Sequence, residues 1–428
     1  MRIVVRAPDA RIAREAQTQL IAAGVDAAAL LGPARPAPDG EDISIFPVTG
    51  DDDLAAAATG GTTLASLAGR RWSAPPARGL NAPSSFMGSI ALDAPAPLLA
   101  AQVEAWSRVA IAEEERARRI ATAAAIEAPT PQPLEPRKLK ALYIGAPSSM
   151  FLALERALSE QDGLVAAAFS SYAGFDHLHD EPFDAVVLNG AQDAATAVSL
   201  CAALRRNATL YHMPTMVVVA SGDATTAKAA IERGASAVAT VNAPCGSSLG
   251  WLFEAIRRER RRRTAEHEMR ALRDVMGDSR TGLWQRPAFD AHLARLAADH
   301  HGSGRTMAMS VLRVMPAHGA RAPAEDVWRR GFTEVATLAS RLIRDADSGV
   351  TLGGDLIAIA LPACDLKGAK RTGERIASVA ECTAFASGDG GAGPLVFEQS
   401  AVELQAGESG AGLLARALRA IEVESIPA

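Results

Sequence analysis

The chain has 428 residues, 48% of them hydrophobic, and a formal net charge of −5. That length supports roughly two to four domains with buried cores, and the slightly acidic balance leaves no basic footprint for nucleic acid. No apolar run reaches the roughly eighteen residues that a membrane-spanning helix needs, and the apolar start, Met1 to Pro8, is too short for a signal peptide, so a soluble cytoplasmic protein is expected.

The first block, 1–125, opens with a strand at Ile3–Val5, an amphipathic helix through Gln19, Leu20 and Ile21, and a strand at Ile43–Phe46. Pro75–Pro83 reads as loop. A later helix runs from about Leu98 into the charged stretch Ala112–Arg119. Residues 128–136 hold Pro129, Pro131, Pro133 and Pro136 and read as a semi-rigid linker. The second block, 138–262, has strand-like runs at Lys140–Ile144, Ala185–Leu188, Met216–Val219 and Ala237–Val241, with helical patterns near 149–160, 193–205 and 224–233. Strand–helix alternation of this kind predicts an α/β fold with a parallel sheet and helices on both faces. A second charged helix, about Ser248–Val275, contains Arg257, Arg258, Glu259, Arg260, Arg261, Arg262 and Arg263. Such a basic run reads as a solvated helix face, and its position predicts a stalk that packs in a homodimer. The third block is 274–428. The cysteines Cys201, Cys245, Cys364 and Cys382 show no paired spacing, so neither a metal site nor a disulfide framework is expected.

The pattern of the second block resembles response-regulator receiver domains, of the flavodoxin-like parallel-sheet class, and the first block resembles a more eroded copy. A working receiver needs a strand-end Asp as phosphoryl acceptor, two further acids for Mg²⁺, and a Lys before a Pro. Here the acceptor position is Asn189, the acidic pair falls at Gly145 and Ala146, and Ala243 precedes Pro244. An amide cannot act as the nucleophilic carboxylate, so phosphorylation is not expected. Asp51, Asp52 and Asp53 come too late after Ile43–Phe46 to serve in the first block. Both blocks read as degenerate receivers kept for docking.

Asp278 to Phe289 resembles the opening motif of GGDEF domains, the nucleotidyl-cyclase-like fold of diguanylate cyclases; Thr281, Gly282, Leu283, Arg286 and Phe289 match, and Gln285 and Pro287 depart. Further on, Arg344 and Asp347 form an RxxD pair, followed by Gly353-Gly354-Asp355-Leu356-Ile357 where the family carries its GG(D/E)EF hairpin. In the family the RxxD is the inhibitory product site for cyclic di-GMP and the hairpin is the active site. The hairpin here lacks its second acid and its Phe. The preceding strand, Met309 to Pro316, has Leu312 or Arg313 where a metal-holding Asp belongs, no Asn occurs in His318–Ala322, and the guanine-reading Asp is replaced near Trp328 and Arg329. One carboxylate, Asp355, cannot hold two metals. The reading is therefore no enzyme, with no catalytic residue, no metal and no cofactor.

The RxxD, in contrast, is whole. Glu334–Ile343 has helical spacing, so Arg344 is expected at the helix end and Asp347 one turn on, pointing the same way. An Arg fork suits guanine O6 and N7, and a carboxylate accepts from N1–H and N2–H. The family supplies a second Arg from an A-E-R-I pattern on the next helix; Gly373-Glu374-Arg375-Ile376 falls at that place, making Arg375 the third ligand residue. The resemblance implies a cyclic di-GMP effector in cell-cycle signalling, recruited to a cell pole, that delivers a regulator to the ClpXP protease. The alternatives are a ligand-independent protein scaffold, or a residually active cyclase or GTP sensor.

Overall fold

The computed structural model describes residues 3–31, 43–48, 63–67, 86–129, 131–132, 135, 137–241, 245–317, 323–383 and 395–424. Contacts divide the chain into two compact units, one of Met1–Ala110 with Leu134–Arg263 and one of Ile111–Pro133 with Thr264–Ala428.

The first unit carries two parallel five-stranded sheets. One holds β1 (Ile3–Ala7), β2 (Ala27–Leu31), β3 (Ile43–Pro47), β4 (Thr63–Leu67) and β5 (Gly88–Ala91), in the order β2-β1-β3-β4-β5, with α1 (Ala10–Ala22) as the first crossover. The other holds β6 (Lys140–Ile144), β7 (Leu164–Ala168), β8 (Ala185–Asn189), β9 (Thr215–Val219) and β10 (Ala237–Thr240), in the order β10-β9-β8-β6-β7. Both follow the doubly wound 2-1-3-4-5 arrangement. The central strands β8 and β9 are apolar without alternation because helices cover both faces. The intervening helices are α3 (Ser149–Ser159), α4 (Ser171–Asp180), α5 (Ala194–Arg206) and α6 (Ala224–Glu232). Asp193 and Asp223 cap α5 and α6 by accepting from the Thr196 and Thr226 amides.

The strand-like runs of the second block coincide with β6, β8, β9 and β10. Sequence patterning misses β2, β4, β7 and α4. Strand β7, Leu-Val-Ala-Ala-Ala, has no marked period, and its edge position leaves Leu164 exposed. The Pro75–Pro83 stretch, Asp51, Asp52 and Asp53, and the Ala243-Pro244 position lie outside the described residues.

Two long helices, α2 (Ala96–Ala125) and α7 (Cys245–Met276), supply residues to both units. The basic run on α7 is not the solvated face expected from its sequence. Arg257, Arg258 and Arg261 all lie over the Trp106 ring, with centroid distances of 5.8, 5.9 and 5.6 Å. Arg260 donates to both oxygens of buried Asp184, at 3.1 and 2.9 Å. Arg262 and Arg263 share Glu259. Carboxylates and an indole sit where water was assumed, so the positive run is internal glue of the first unit.

The second unit is built on a four-stranded antiparallel sheet of β11 (Met307–Pro316), β12 (Ser348–Leu352), β13 (Leu356–Pro362) and β14 (Leu395–Glu403), in the order β12-β13-β11-β14. Its helices are α8 (Arg286–Ser303), α9 (Glu325–Leu342), α10 (Leu366–Glu381) and α11 (Gly410–Glu424). Strand β11 alternates. Met307, Met309 and Val311 enter one core, with Phe289 of α8 and Leu413 of α11. Ala308, Leu312 and Val314 enter the other, with Phe332 of α9 and Ile376 of α10. This sandwich fixes the ends of α9 and α10 and the two turns flanking β12.

Candidate functional site

The RxxD lies in the turn between α9 and β12. Helix α9 stops at Leu342 because Ile343 turns to extended backbone, φ −75° and ψ 157°. Arg344 is exposed, and its guanidinium has no hydrogen-bond partner among the described residues. The expectation that Arg344 and Asp347 point the same way is corrected. Asp347 is only 5% exposed, and its Oδ2 accepts from the Arg344 amide at 2.8 Å while its own amide donates to the Arg344 carbonyl at 3.0 Å. The tight turn, not helical spacing, sets its direction. Burial pushes the Asp347 carboxyl up to about 6, against the Arg344 amide bond and the charges of Arg344 and Arg119.

Arg375, on α10, reaches the same corner: its Nη2 donates to the Leu342 carbonyl at 2.8 Å, capping the end of α9. Two exposed arginines from different elements therefore stand at the end of α9, Arg344 just after it and Arg375 on its Leu342 carbonyl. Gly373, where the family pattern has Ala, has a local cause. A Cβ there would stand 2.1 Å from Gln399 Oε1 and 2.8 Å from Ser310 Oγ, so a larger residue would have to displace both side chains where α10 meets the sheet.

Beneath the turn lies a group of residues that sequence reasoning did not assign to the site. Arg119 of α2, 1% exposed, donates from Nη2 to the carbonyls of Asp345 and Asp347 at 2.7 and 3.1 Å. Its Nη1 donates to the Met269 carbonyl at 3.0 Å and its Nε to Glu115 at 2.8 Å. Its guanidinium lies 5.2 Å from the centre of the Trp284 ring. Glu115 also meets Arg118 at 3.1 Å and His292 Nε2 at 2.9 Å. Burial alone would raise the Glu115 carboxyl, but His292, Arg119 and Arg118 outweigh it and hold it near 2. Arg270 reaches Asp345 Oδ2 at 3.4 Å. The available signal was the i,i+4 pair Glu115–Arg119 inside a charged stretch, which reads equally well as a solvated helix.

On the far side of β12 stands the hairpin turn. Gly353 has φ 78°, a left-handed conformation that favours glycine, and Gly353 and Gly354 are both exposed. The Gly354 carbonyl accepts from Trp328 Nε1 at 2.9 Å, so Trp328 braces the hairpin. Asp355 is 48% exposed and meets Arg313 of β11 at 3.9 Å, and Arg313 also reaches Glu398 at 3.5 Å. The positions His318–Ala322 lie outside the described residues.

In the first unit, Asn189 ends β8. Its Nδ2 donates to the Ala146 carbonyl at 2.8 Å and its Oδ1 accepts from the Ala191 amide at 3.2 Å. The amide is used in knitting the β6 and β8 loops together.

No family model and no curated protein matches this chain. Parts of it are similar to solved GGDEF domains. One is the GGDEF domain of DgcB from Caulobacter crescentus in complex with c-di-GMP, 21% identical, covering 35% of this chain and 86% of that one, TM-score 0.29. Another is diguanylate cyclase SiaD from Pseudomonas aeruginosa in complex with its activator SiaC, 21% identical, covering 39% and 66%, TM-score 0.31. A third is the active GGEEF domain of a diguanylate cyclase from Vibrio cholerae, 14% identical, covering 32% and 88%, TM-score 0.28. The expectation that the chain is no enzyme is corrected on this finding: two of these three structures are described as diguanylate cyclases, one of them as an active domain. Among the described residues no helix is long and apolar enough to cross a membrane.

Proposed function

We propose that the second unit binds cyclic di-GMP at the RxxD turn. Arg344 forks onto O6 and N7 of a guanine, Arg375 supplies a second cation to the same corner, and the Asp347 carboxylate meets the N1–H and N2–H edge. The observation that carries this reading is the convergence of exposed Arg344 and exposed Arg375 at the end of α9, above a turn that holds Asp347. The chemistry favours a planar ligand with paired acceptors, which a guanidinium fork matches better than an ammonium does.

On this reading the two doubly wound sheets are degenerate receivers serving as a docking part. Asn189 replaces the acceptor carboxylate there, and its hydrogen bonds are already used within the loops. Adaptor action, with delivery of a cell-cycle regulator to the ClpXP protease, is the partner role that the domain order suggests.

Calorimetry with cyclic di-GMP tests the binding site. The full chain binds at micromolar concentration or tighter, and Arg344→Ala weakens binding about ten- to a hundredfold, the ~1–3 kcal/mol of one bidentate guanine contact. Equal affinity in both proteins refutes the assignment.

A second reading places nucleotide cyclisation at the hairpin. The exposed Gly353-Gly354-Asp355 turn, braced by Trp328, favours it. Turnover of GTP with Mg²⁺ by the purified chain, abolished by Asp355→Ala, establishes it; no turnover removes it.

A further inference from the structure

The Asp347 carboxylate is turned inward, yet the proposed ligand contact needs its oxygens at the surface. What holds it inward is visible beneath the turn. The turn has one internal tie through the Asp347 side chain, to the Arg344 amide. Among the described residues its backbone has two external ties, both from Arg119, to the carbonyls on either side of Ala346. Rotating the Asp345–Asp347 segment to expose the carboxylate swings those carbonyls away from Arg119.

Arg119 is poorly suited to plain structural filling. It is fully enclosed, and its donors are spread over Glu115, the Met269 carbonyl and the two turn carbonyls. A buried guanidinium is costly unless every donor is satisfied. Opening the turn therefore strips it of two acceptors, which resists opening. Asp345 has a further restraint from Arg270 at 3.4 Å, but that contact lies on a half-exposed side chain and is the weaker of the two.

We infer that Arg119 is a positioning residue for the RxxD turn: it latches the turn with the Asp347 carboxylate inward, and cyclic di-GMP gains its carboxylate contact when the latch releases. The latch belongs to α2, which precedes the segment resembling a GGDEF domain, so this chain carries its own restraint on the site. The ligand half of the inference rests on the proposed function; the latch itself does not.

The experiment is hydrogen exchange on the full chain, followed by cyclic di-GMP titration, for the wild type, Arg119→Lys and Arg119→Met. Without ligand, Arg119→Met is expected to raise exchange of the 344–348 amides at least tenfold while β11 and β13 stay protected; Arg119→Lys, which keeps one donor direction, restores part of the protection. With ligand, Arg119→Met binds cyclic di-GMP several-fold tighter. Unchanged exchange at 344–348 overturns the latch, and unchanged or weaker binding overturns its restraining direction. If neither wild type nor variant binds the ligand, the proposed function fails and the exchange result still decides the latch. Should Arg119→Met not fold, Glu115→Gln combined with Arg119→Met removes the buried charge as a pair and takes its place.

Discussion

The turn before β12 and the turn after it are separated by a single short strand, and each ends on an aspartate directly before a strand, Asp347 before β12 and Asp355 before β13. Asp347, before the strand, is buried, bonded to an amide of its own turn and tied through its carbonyl to Arg119. Asp355, after the strand, is half-exposed and faces Arg313 at 3.9 Å. The local chain does not explain the contrast, since both are short polar turns joined to the same β-ladder. What differs is the layer below. The first turn lies over α2, which delivers a satisfied guanidinium; the second is exposed at Gly353 and Gly354 and is held by Trp328 and by the Val314 amide, which donates to the Asp355 carbonyl at 2.8 Å. A site's geometry is set here by an element remote in sequence, and each perturbation below either removes that difference or widens it.

The largest effect is expected from Glu115→Ala. It removes the carboxylate shared by Arg118, Arg119 and His292 in a buried setting. Uncompensated buried charge costs about 3–5 kcal/mol, so urea denaturation should show a loss of that size. A loss below about 1 kcal/mol would mean that the network beneath the first turn holds nothing in place.

Next is pH. The Asp347 carboxyl titrates near 6 in the folded chain against an ordinary value of 3.8. Between those values the folded state keeps a proton that the unfolded state has lost, so this group's contribution falls as pH rises through the window. At about 1.4 kcal/mol per unit, the fall is roughly 3 kcal/mol at most. Asp347→Asn should flatten it, seen in urea midpoints compared at pH 4 and pH 7. Glu115 runs the other way: its carboxyl is held near 2, so its contribution is present above its ordinary 4.5 and is lost as pH falls towards 2. Equal pH profiles for wild type and Asp347→Asn would show the first turn to be as open as the second.

Gly373→Ala comes third. The added Cβ meets Gln399 Oε1 and Ser310 Oγ and pushes on the helix that carries Arg375. Overpacking of this kind costs about 1–3 kcal/mol, measured as a lowered thermal midpoint. The smallest effect belongs to the hairpin. Trp328→Phe removes the donor to the Gly354 carbonyl and should cost about 1 kcal/mol or less, with hydrogen exchange rising at 353–355 alone.

Much of the framework was legible in the sequence because its signals are local. Apolar runs marked β6, β8 and β9, and the helical spacing of Glu334–Ile343 marked the last part of α9. What the sequence hid depends on partners far along the chain. Arg119 reads as one more charge in a helical run, and only its contacts with Asp345, Asp347 and Met269 show its place. The basic run from Arg257 to Arg263 hid in the same way, since nothing local announces that Trp106 and Asp184 wait beside it. The expected common direction of Arg344 and Asp347 came from helical spacing extended past Leu342, where α9 has already ended.

Titrating Arg344→Ala and Asp355→Ala side by side with cyclic di-GMP tests the assignment of the ligand to the first turn most directly. The account predicts that Arg344→Ala loses about ten- to a hundredfold in affinity and that Asp355→Ala binds as the wild type does. Loss of binding in Asp355→Ala with full binding in Arg344→Ala would place the ligand at the hairpin and contradict it.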